Sequence, residues 1–437
     1  MFRLPIKYKT FFRKHAYAPE AIEIFKYIGP GFLVTVGFID PGNWAANMAA
    51  GASYGYMLLW VITLAMLMLI IIQHNAAHLG IVTGLCLSEA CEKFFKKRVS
   101  AVIILSAMVA AISTALAELL GAAIGLNMLF GIPLPAGALV GALFAGYMVF
   151  SNSYNKLEKW IIIFVSLIGF SFLYEVNLVH IDWFGSSGAL KSLVSPSIPN
   201  GSLPVIMSVL GAVVMPHNIF LHSEVIQSKQ INLEGDERIK KRLRYEFLDT
   251  IAAMSAGWAI NCAMILVAAS LFYSQGARIT GIEDAYTALR PALGSLAGAI
   301  FAIALLLSGL SSSVTAALSG ASIFAGAFGE PLNLKDNHSK TGALITLGSA
   351  FIAILFISDA FTGLIWSQIV LAVQLPLTVF PLIVLTSSKR VMGKYQTPIF
   401  EKLLLWICAA LIAVLNIMLV ADIIRPGSIE KAIKLIH

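Results

Sequence analysis

The run Gly211-Ala212-Val213-Val214-Met215-Pro216-His217-Asn218 sits in the middle of an apolar stretch reaching from about 202 to 226. A proline there removes one helical hydrogen bond, and its ring clashes with an earlier carbonyl. His217 and Asn218 add polarity where lipid would tolerate none. Irregular backbone at membrane depth survives only where protein or a water-lined cavity satisfies it. A second stretch breaks the rule in the same way: Gly29-Pro30-Gly31-Phe32-Leu33-Val34-Thr35-Val36-Gly37-Phe38-Ile39-Asp40-Pro41-Gly42-Asn43. Both carry the pattern x-Pro-x-Asn.

The surroundings of these two stretches are those of a membrane protein. Of 437 residues, 58% are hydrophobic and 12% charged, against roughly 25% charged in a soluble domain. Apolar runs long enough to cross a hydrocarbon core mark eleven spans, at 29–53, 57–79, 101–129, 134–150, 160–177, 202–226, 249–273, 296–328, 342–358, 362–386 and 403–425. The two interrupted stretches fall in the first and sixth. Five spans separate them, an odd number, so the second copy enters the bilayer from the opposite side. Two inverted repeats, with the working site where their broken helices meet, produce that arrangement.

The formal charge of +7 is a matter of topology rather than of nucleic-acid binding. With the N-terminus inside, 24 of the 30 Lys and Arg residues collect on one side, in the first arm and in loops 92–98, 156–159, 229–244, 335–340 and 389–402. The bias predicts a cytoplasmic N-terminus and an extracellular or periplasmic C-terminus, in a plasma (inner) membrane. Loops of no more than about 25 residues leave no room for a soluble catalytic domain. The chain is expected to be a single transmembrane domain and not an enzyme. Repeat one covers about 29–177, repeat two about 202–386, and an additional helix about 403–425. No obligatory protein partner is evident, and the four cysteines (Cys86, Cys91, Cys262, Cys408) form no CxxC pair.

The chemistry gathers at the breaks. Asp40, an acid at mid-span, needs a cation or a donor to compensate its charge. Asn43 offers an amide oxygen one turn on; taken alone it is a cap for the broken helix. Met215, one of 14 methionines, would by itself be a gap filler, but its place in the second break, symmetric to Asp40, makes it a candidate ligand. A thioether beside oxygen ligands suits first-row transition metals, whereas Mg²⁺ and Ca²⁺ gain nothing from sulfur. Unwinding frees a backbone carbonyl near Ala212. Glu118, His217 and His222 are candidates to relay protons. Gln374 in the tenth span either reaches the ion or bonds helix to helix. His74 and His78, four residues apart, read as interfacial groups.

Asp40-Pro41-Gly42-Asn43 together with Met215-Pro216-His217-Asn218 resembles the NRAMP family of divalent metal transporters. The likeness extends through Gly29-Pro30-Gly31-Phe32-Leu33, Gly80-Ile81-Val82-Thr83-Gly84, Leu221-His222-Ser223, Ser311-Ser312-Ser313 and Gln374-Leu375-Pro376. The resemblance implies an all-α polytopic membrane protein with a LeuT-like 5+5 inverted repeat, an eleventh transmembrane helix, and helices 1 and 6 broken at mid-membrane. It implies that Asp40, Asn43, Met215 and the Ala212 carbonyl bind the metal, and that Gln374 helps in some states. It implies import of Mn²⁺ or Fe²⁺ by alternating access with proton co-transport, Glu118 and His217 belonging to the proton route. The metal is cargo, and no cofactor is expected.

Two positions depart from the family pattern. The third span carries Ala115 where the family usually has aspartate, and 342–358 lacks the usual arginine. Losing both ends of an acid–base pair together is less disruptive than losing one. The combination points to altered, weak or absent proton coupling. Rival readings are an uncoupled or Mg²⁺-type carrier, or an amino-acid or organic-cation symporter on the same fold. A metalloenzyme would need an HExxH pattern or a catalytic His and carboxylate cluster, and the sequence has neither.

Overall fold

The computed structural model describes residues 40–151, 174–185, 188–228, 230–233, 235–276, 281–282 and 295–424. The first half of the first span, including Gly29–Ile39, and most of the fifth lie outside the described residues.

Long helices account for most of what is described. They are α1 (Pro41–Tyr54), α2 (Leu59–Thr83), α3 (Leu87–Phe94), α4 (Lys97–Phe130), α5 (Leu134–Ser151), α6 (Leu203–Val213), α7 (Pro216–Gln227), α8 (Asp236–Leu271), α9 (Ser295–Gly326), α10 (Asn337–Ile354), α11 (Ala360–Thr386) and α12 (Ile399–Ile424). Among the described residues, eight stretches are long and apolar enough to cross a membrane, the α6–α7 pair counting as one. Their composition is apolar around the whole circumference, as expected of helices facing lipid on one side and protein on the other. The α6–α7 span is the inner one: 89% of its apolar window is buried, against 28% for α5. Leu105, Leu143, Phe356 and Ile417 are exposed on the outside of the bundle, where lipid solvates them.

The two proline positions build the same local structure. Asp40 (φ −74°, ψ 163°) and Met215 (φ −75°, ψ 118°) are both extended, and each is the N-cap of a helix whose first residue is proline. Proline disfavours helical backbone in the residue before it and suits the first helical position. Pro216 has no N–H to give the carbonyl four residues back, so the Ala212 carbonyl is released from the helix. Pro376 repeats the rule inside α11: the Ala372 carbonyl it releases accepts Asn416 Nδ2 of α12 at 2.9 Å.

Small residues let the helices close on this centre. A Cβ on Gly121 of α4 would collide with the Pro41 ring, and one on Gly309 of α9 with the Glu118 carbonyl. Helices α4 and α11 run antiparallel, with Ser113 Oγ donating to the Ser367 carbonyl at 3.1 Å and Gln374 Nε2 to Ser106 Oγ at 3.0 Å.

One boundary differs substantially from the hydropathy pattern. The seventh span is expected from 249, yet α8 begins at Asp236. Its charged first turns belong to the helix because Ile239, Arg242, Glu246 and Asp249 form a buried stripe at helical spacing. Acidic Asp236 and Glu237 lie in the first turn, where the helix dipole favours them.

Candidate metal site at the helix breaks

Asp40 Oδ1 accepts the backbone N–H of Asn43 at 2.5 Å, closing the first turn of α1. Asn43 Nδ2 then donates to the Ala212 carbonyl at 3.0 Å, joining the start of α1 to the end of α6 across 169 residues of sequence. That carbonyl is the one Pro216 released. Three residues later Met215 opens α7, fully buried, with Ala110 and Leu371 packed around it. Its sulfur accepts Asn218 Nδ2 at 3.5 Å. The structure therefore brings Asp40, Asn43 and Ala212 together directly, and Met215 enters the same break.

The polar inventory is lopsided. Asp40, Asn43, Glu118, His217 and Asn218 are all 0% exposed. Asp40 Oδ2, Asn43 Oδ1 and both Glu118 oxygens have no hydrogen-bond partner. The Glu118 carboxyl lies against that of Asp40 and the Ser312 hydroxyl. Native buried acceptors are almost always satisfied, and burying a carboxylate without a counter-charge is strongly unfavourable. A knot of oxygen acceptors with few donors and no cationic side chain is chemistry suited to a cation.

Gln374 stands differently from the expectation. Its Nε2 donates to Ser106 and its Oε1 accepts Thr378 Oγ1 at 3.1 Å, so its amide is committed to helix–helix bonding. The glutamine that reaches the breaks is Gln368, six residues earlier on α11. A Cβ on Gly42 would fall 1.7 Å from Gln368 Nε2, and Gln368 Oε1 is buried without a partner. Both glutamines are buried on one helix; which of them faces the breaks depends on how α11 is rotated and tilted. The sequence signal that could have found it is the bare Cα of Gly42, which makes room for an incoming amide.

The three proton-route candidates divide. Glu118 is at the centre. His217 Nδ1 meets Thr114 Oγ1 at 3.0 Å, one turn before Glu118 on α4, and its Nε2 is buried without a partner. His222 points elsewhere: its Nε2 contacts Glu246 Oε1 at 3.3 Å. His74, read as interfacial, also bonds Glu246. Ala115 belongs to one apolar cluster with Ala343, Leu347, Ala350 and Ile354 of α10.

A second group of donor atoms stands apart. Cys86, Glu89 and Glu224 are buried and offer sulfur and oxygen atoms within 4.8 Å of one another. Here the carboxylates have donors: Cys86 N to Glu89 Oε2 at 2.8 Å, Ser322 Oγ to Glu224 Oε2 at 2.9 Å and Leu332 N to Glu224 Oε1 at 3.1 Å.

Comparison with known proteins matches residues 31–422 to the family described as natural resistance-associated macrophage protein-like. A divalent metal cation transporter MntH of Listeria monocytogenes serotype 4a (strain HCC23) is 35% identical over 425 residues, covering 94% of this chain and 91% of the relative. One from Caldanaerobacter subterraneus subsp. tengcongensis is 36% identical over 409 residues, covering 92% and 95%. Among solved structures, the Eremococcus coleocola manganese transporter, in complex with an aromatic bis-isothiourea substituted compound, superposes with a TM-score of 0.79 at 25% identity, covering 95% of this chain and 91% of that one. Mhp1, a nucleobase-cation-symport-1 family transporter in a closed conformation, shares the fold alone, with a TM-score of 0.60 at 16% identity over 90% and 93%. The architecture is the LeuT-like one.

Proposed function

This chain belongs to the natural resistance-associated macrophage protein-like family and is an integral membrane transporter of divalent metal cations; on that premise we propose that it imports Mn²⁺, Fe²⁺ and similar ions by alternating access. Asp40 Oδ2, Asn43 Oδ1, the Ala212 carbonyl and Met215 Sδ form the ion site. Gln368, rather than Gln374, supplies the amide from α11. The relatives named as divalent metal cation transporters and the manganese transporter support this reading.

The observation that carries it is the Asn43–Ala212 hydrogen bond at 3.0 Å. It joins the two half-helices while leaving the Asp40 and Asn43 acceptor oxygens buried and unpaired. A divalent ion satisfies all of them at once. The thioether favours transition metals over Mg²⁺, and the carboxylate at the break argues against an anionic amino-acid group there. The charge bias supports a plasma-membrane protein with its N-terminus inside and C-terminus outside. Repeats at about 29–177 and 202–386, within one domain, follow from the two proline breaks. The apolar packing of Ala115 against α10 supports proton coupling altered from the family pattern.

Uptake of Mn²⁺, Fe²⁺, Cd²⁺ and Mg²⁺ into proteoliposomes tests the reading. The wild type should take up the first three and be competed by Cd²⁺ but not by amino acids. Asp40→Ala should abolish uptake. Transport surviving Asp40→Ala with unchanged affinity would remove the site from its assigned place.

A further inference from the structure

The described residues hold a second polar assembly that the ion site does not use. Glu246, on the buried stripe of α8, is 1% exposed and engages a different imidazole with each oxygen. Oε2 meets His74 Nδ1 of α2 at 2.6 Å, and Oε1 meets His222 Nε2 of α7 at 3.3 Å. Thr250 Oγ1 also donates to Oε1, at 2.6 Å. The three groups make a line of imidazole, carboxylate and imidazole across three helices.

The ends of this line differ. At the inner end, His222 is 0% exposed and its Nδ1 is buried with no partner. Asn218 lies four residues earlier, on the same face of α7. Its Nδ2 contacts Met215 Sδ, and its Oδ1 is also buried without a partner. At the outer end, the His74 side chain is 17% exposed. It lines a cavity of about 640 Å³ with His78, Arg244, Lys394, Tyr395 and Glu401. The groups facing the line are His78 on α2, stacked near His74 at 6.3 Å, and Glu401 on α12. Glu401 is the second acid acting on His74.

We propose that His222, Glu246 and His74 form a proton relay between the second helix break and the cavity at the Lys394–Glu401 end of the bundle. The inference rests on the transport reading above and adds to it a path for protons separate from the Ala115–α10 contact. Each transfer balances. His222 Nδ1 accepts a proton from the break, and Nε2–H passes one to Glu246 Oε1. Rotation of the Glu246 carboxyl about its Cγ–Cδ bond then brings that proton to His74 Nδ1, and His74 Nε2–H releases one to the cavity. One proton enters and one leaves, with no bond changed except N–H and O–H. A carboxylate using both oxygens on two imidazoles has the geometry for this.

The test records Mn²⁺ uptake and internal pH together in proteoliposomes for wild type, Glu246→Gln and His74→Gln. The wild type should move protons with Mn²⁺. Glu246→Gln keeps the shape and one of the two acceptor oxygens but cannot pass a proton, so Mn²⁺ uptake should persist while proton movement per Mn²⁺ falls at least about tenfold. His74→Gln, at the edge of the cavity, should do the same with less risk to folding. Should Glu246→Gln lose both fluxes, His74→Gln decides: Mn²⁺ kept and protons lost supports the relay, any other result overturns it. Unchanged proton movement in Glu246→Gln, or none in wild type despite Mn²⁺ uptake, also overturns it. Absence of Mn²⁺ uptake in wild type is a different result and sinks the transport reading itself.

Discussion

Two buried clusters in this molecule hold the atom types that bind metals, and they differ in what those atoms already touch. Around Cys86, Glu89 and Glu224 the carboxylates accept hydrogen bonds from two backbone amides and a serine hydroxyl. The outward oxygens of Asp40 and Asn43 have no amide, backbone or cationic donor, and the neighbour of the Asp40 carboxyl is a second carboxyl, that of Glu118. By donor proximity the first cluster is the better metal site. By unfinished bonding the second is. Unfinished bonding is the sounder guide, because an acceptor already satisfied gains little from an ion, while an orphaned one gains its whole desolvation penalty back.

Substitutions can break this contrast, and the largest effect belongs to Asp40. Removing its carboxylate deletes the one formal charge held at the breaks beside Glu118. Losing one partner of a buried charge pair costs about 2–5 kcal/mol, or about 30-fold and upward in affinity. Mn²⁺ binding by isothermal titration on Asp40→Ala measures this directly. Met215→Ala comes next and is selective. Cd²⁺ affinity should fall about tenfold, an effect of roughly 1.4 kcal/mol, while competition by Mg²⁺ or Ca²⁺ strengthens because the site becomes all oxygen. Equal losses for all metals would mean the sulfur only fills space.

The two glutamines of α11 sharpen the comparison further. Gln368→Ala removes an unsatisfied buried oxygen beside Gly42 and should weaken Mn²⁺ binding by about 1 kcal/mol, the scale of one net hydrogen bond. Gln374→Ala instead leaves the Ser106 and Thr378 hydroxyls without their partner. It should lower thermal stability and leave affinity alone. The reverse pattern would restore Gln374 to the ion.

These residues also show where the amino-acid sequence is legible. The interruption at Met215 is, because proline acts locally: Pro216 must release the carbonyl four residues back, so Ala212 follows by counting. Asp40 and Asn43 follow from polarity at depth. Gln368 does not, because both glutamines are buried and only the rotation of α11 against α1 separates them. Glu246 was hidden for another reason. It lies in a basic, charged segment between the loop and the apolar run, and only the packing of α8 against α2, with the His222 contact from α7, turns that segment into buried helix. Local rules travel from sequence to structure; facing and tilt come from tertiary packing.

The smallest expected effect is at Cys86. Its thiol is buried, and burial followed by the two nearby carboxylates, Glu224 first, raises its pKa well above the usual thiol range. It therefore stays S–H at neutral pH, and the thiolate, not the thiol, is the metal ligand. The Cys86 sulfur also lies 3.1 Å from Ser88 Oγ, a contact a serine hydroxyl can keep. Cys86→Ser should leave Cd²⁺ affinity within about twofold, well under the 1.4 kcal/mol that makes a factor of ten. Cd²⁺ is the probe to use because it seeks sulfur. If Cys86→Ser removes one equivalent of bound Cd²⁺ while Asp40→Ala leaves that equivalent in place, the satisfied cluster is a real site, and hydrogen-bond completeness is the wrong criterion for choosing between the two.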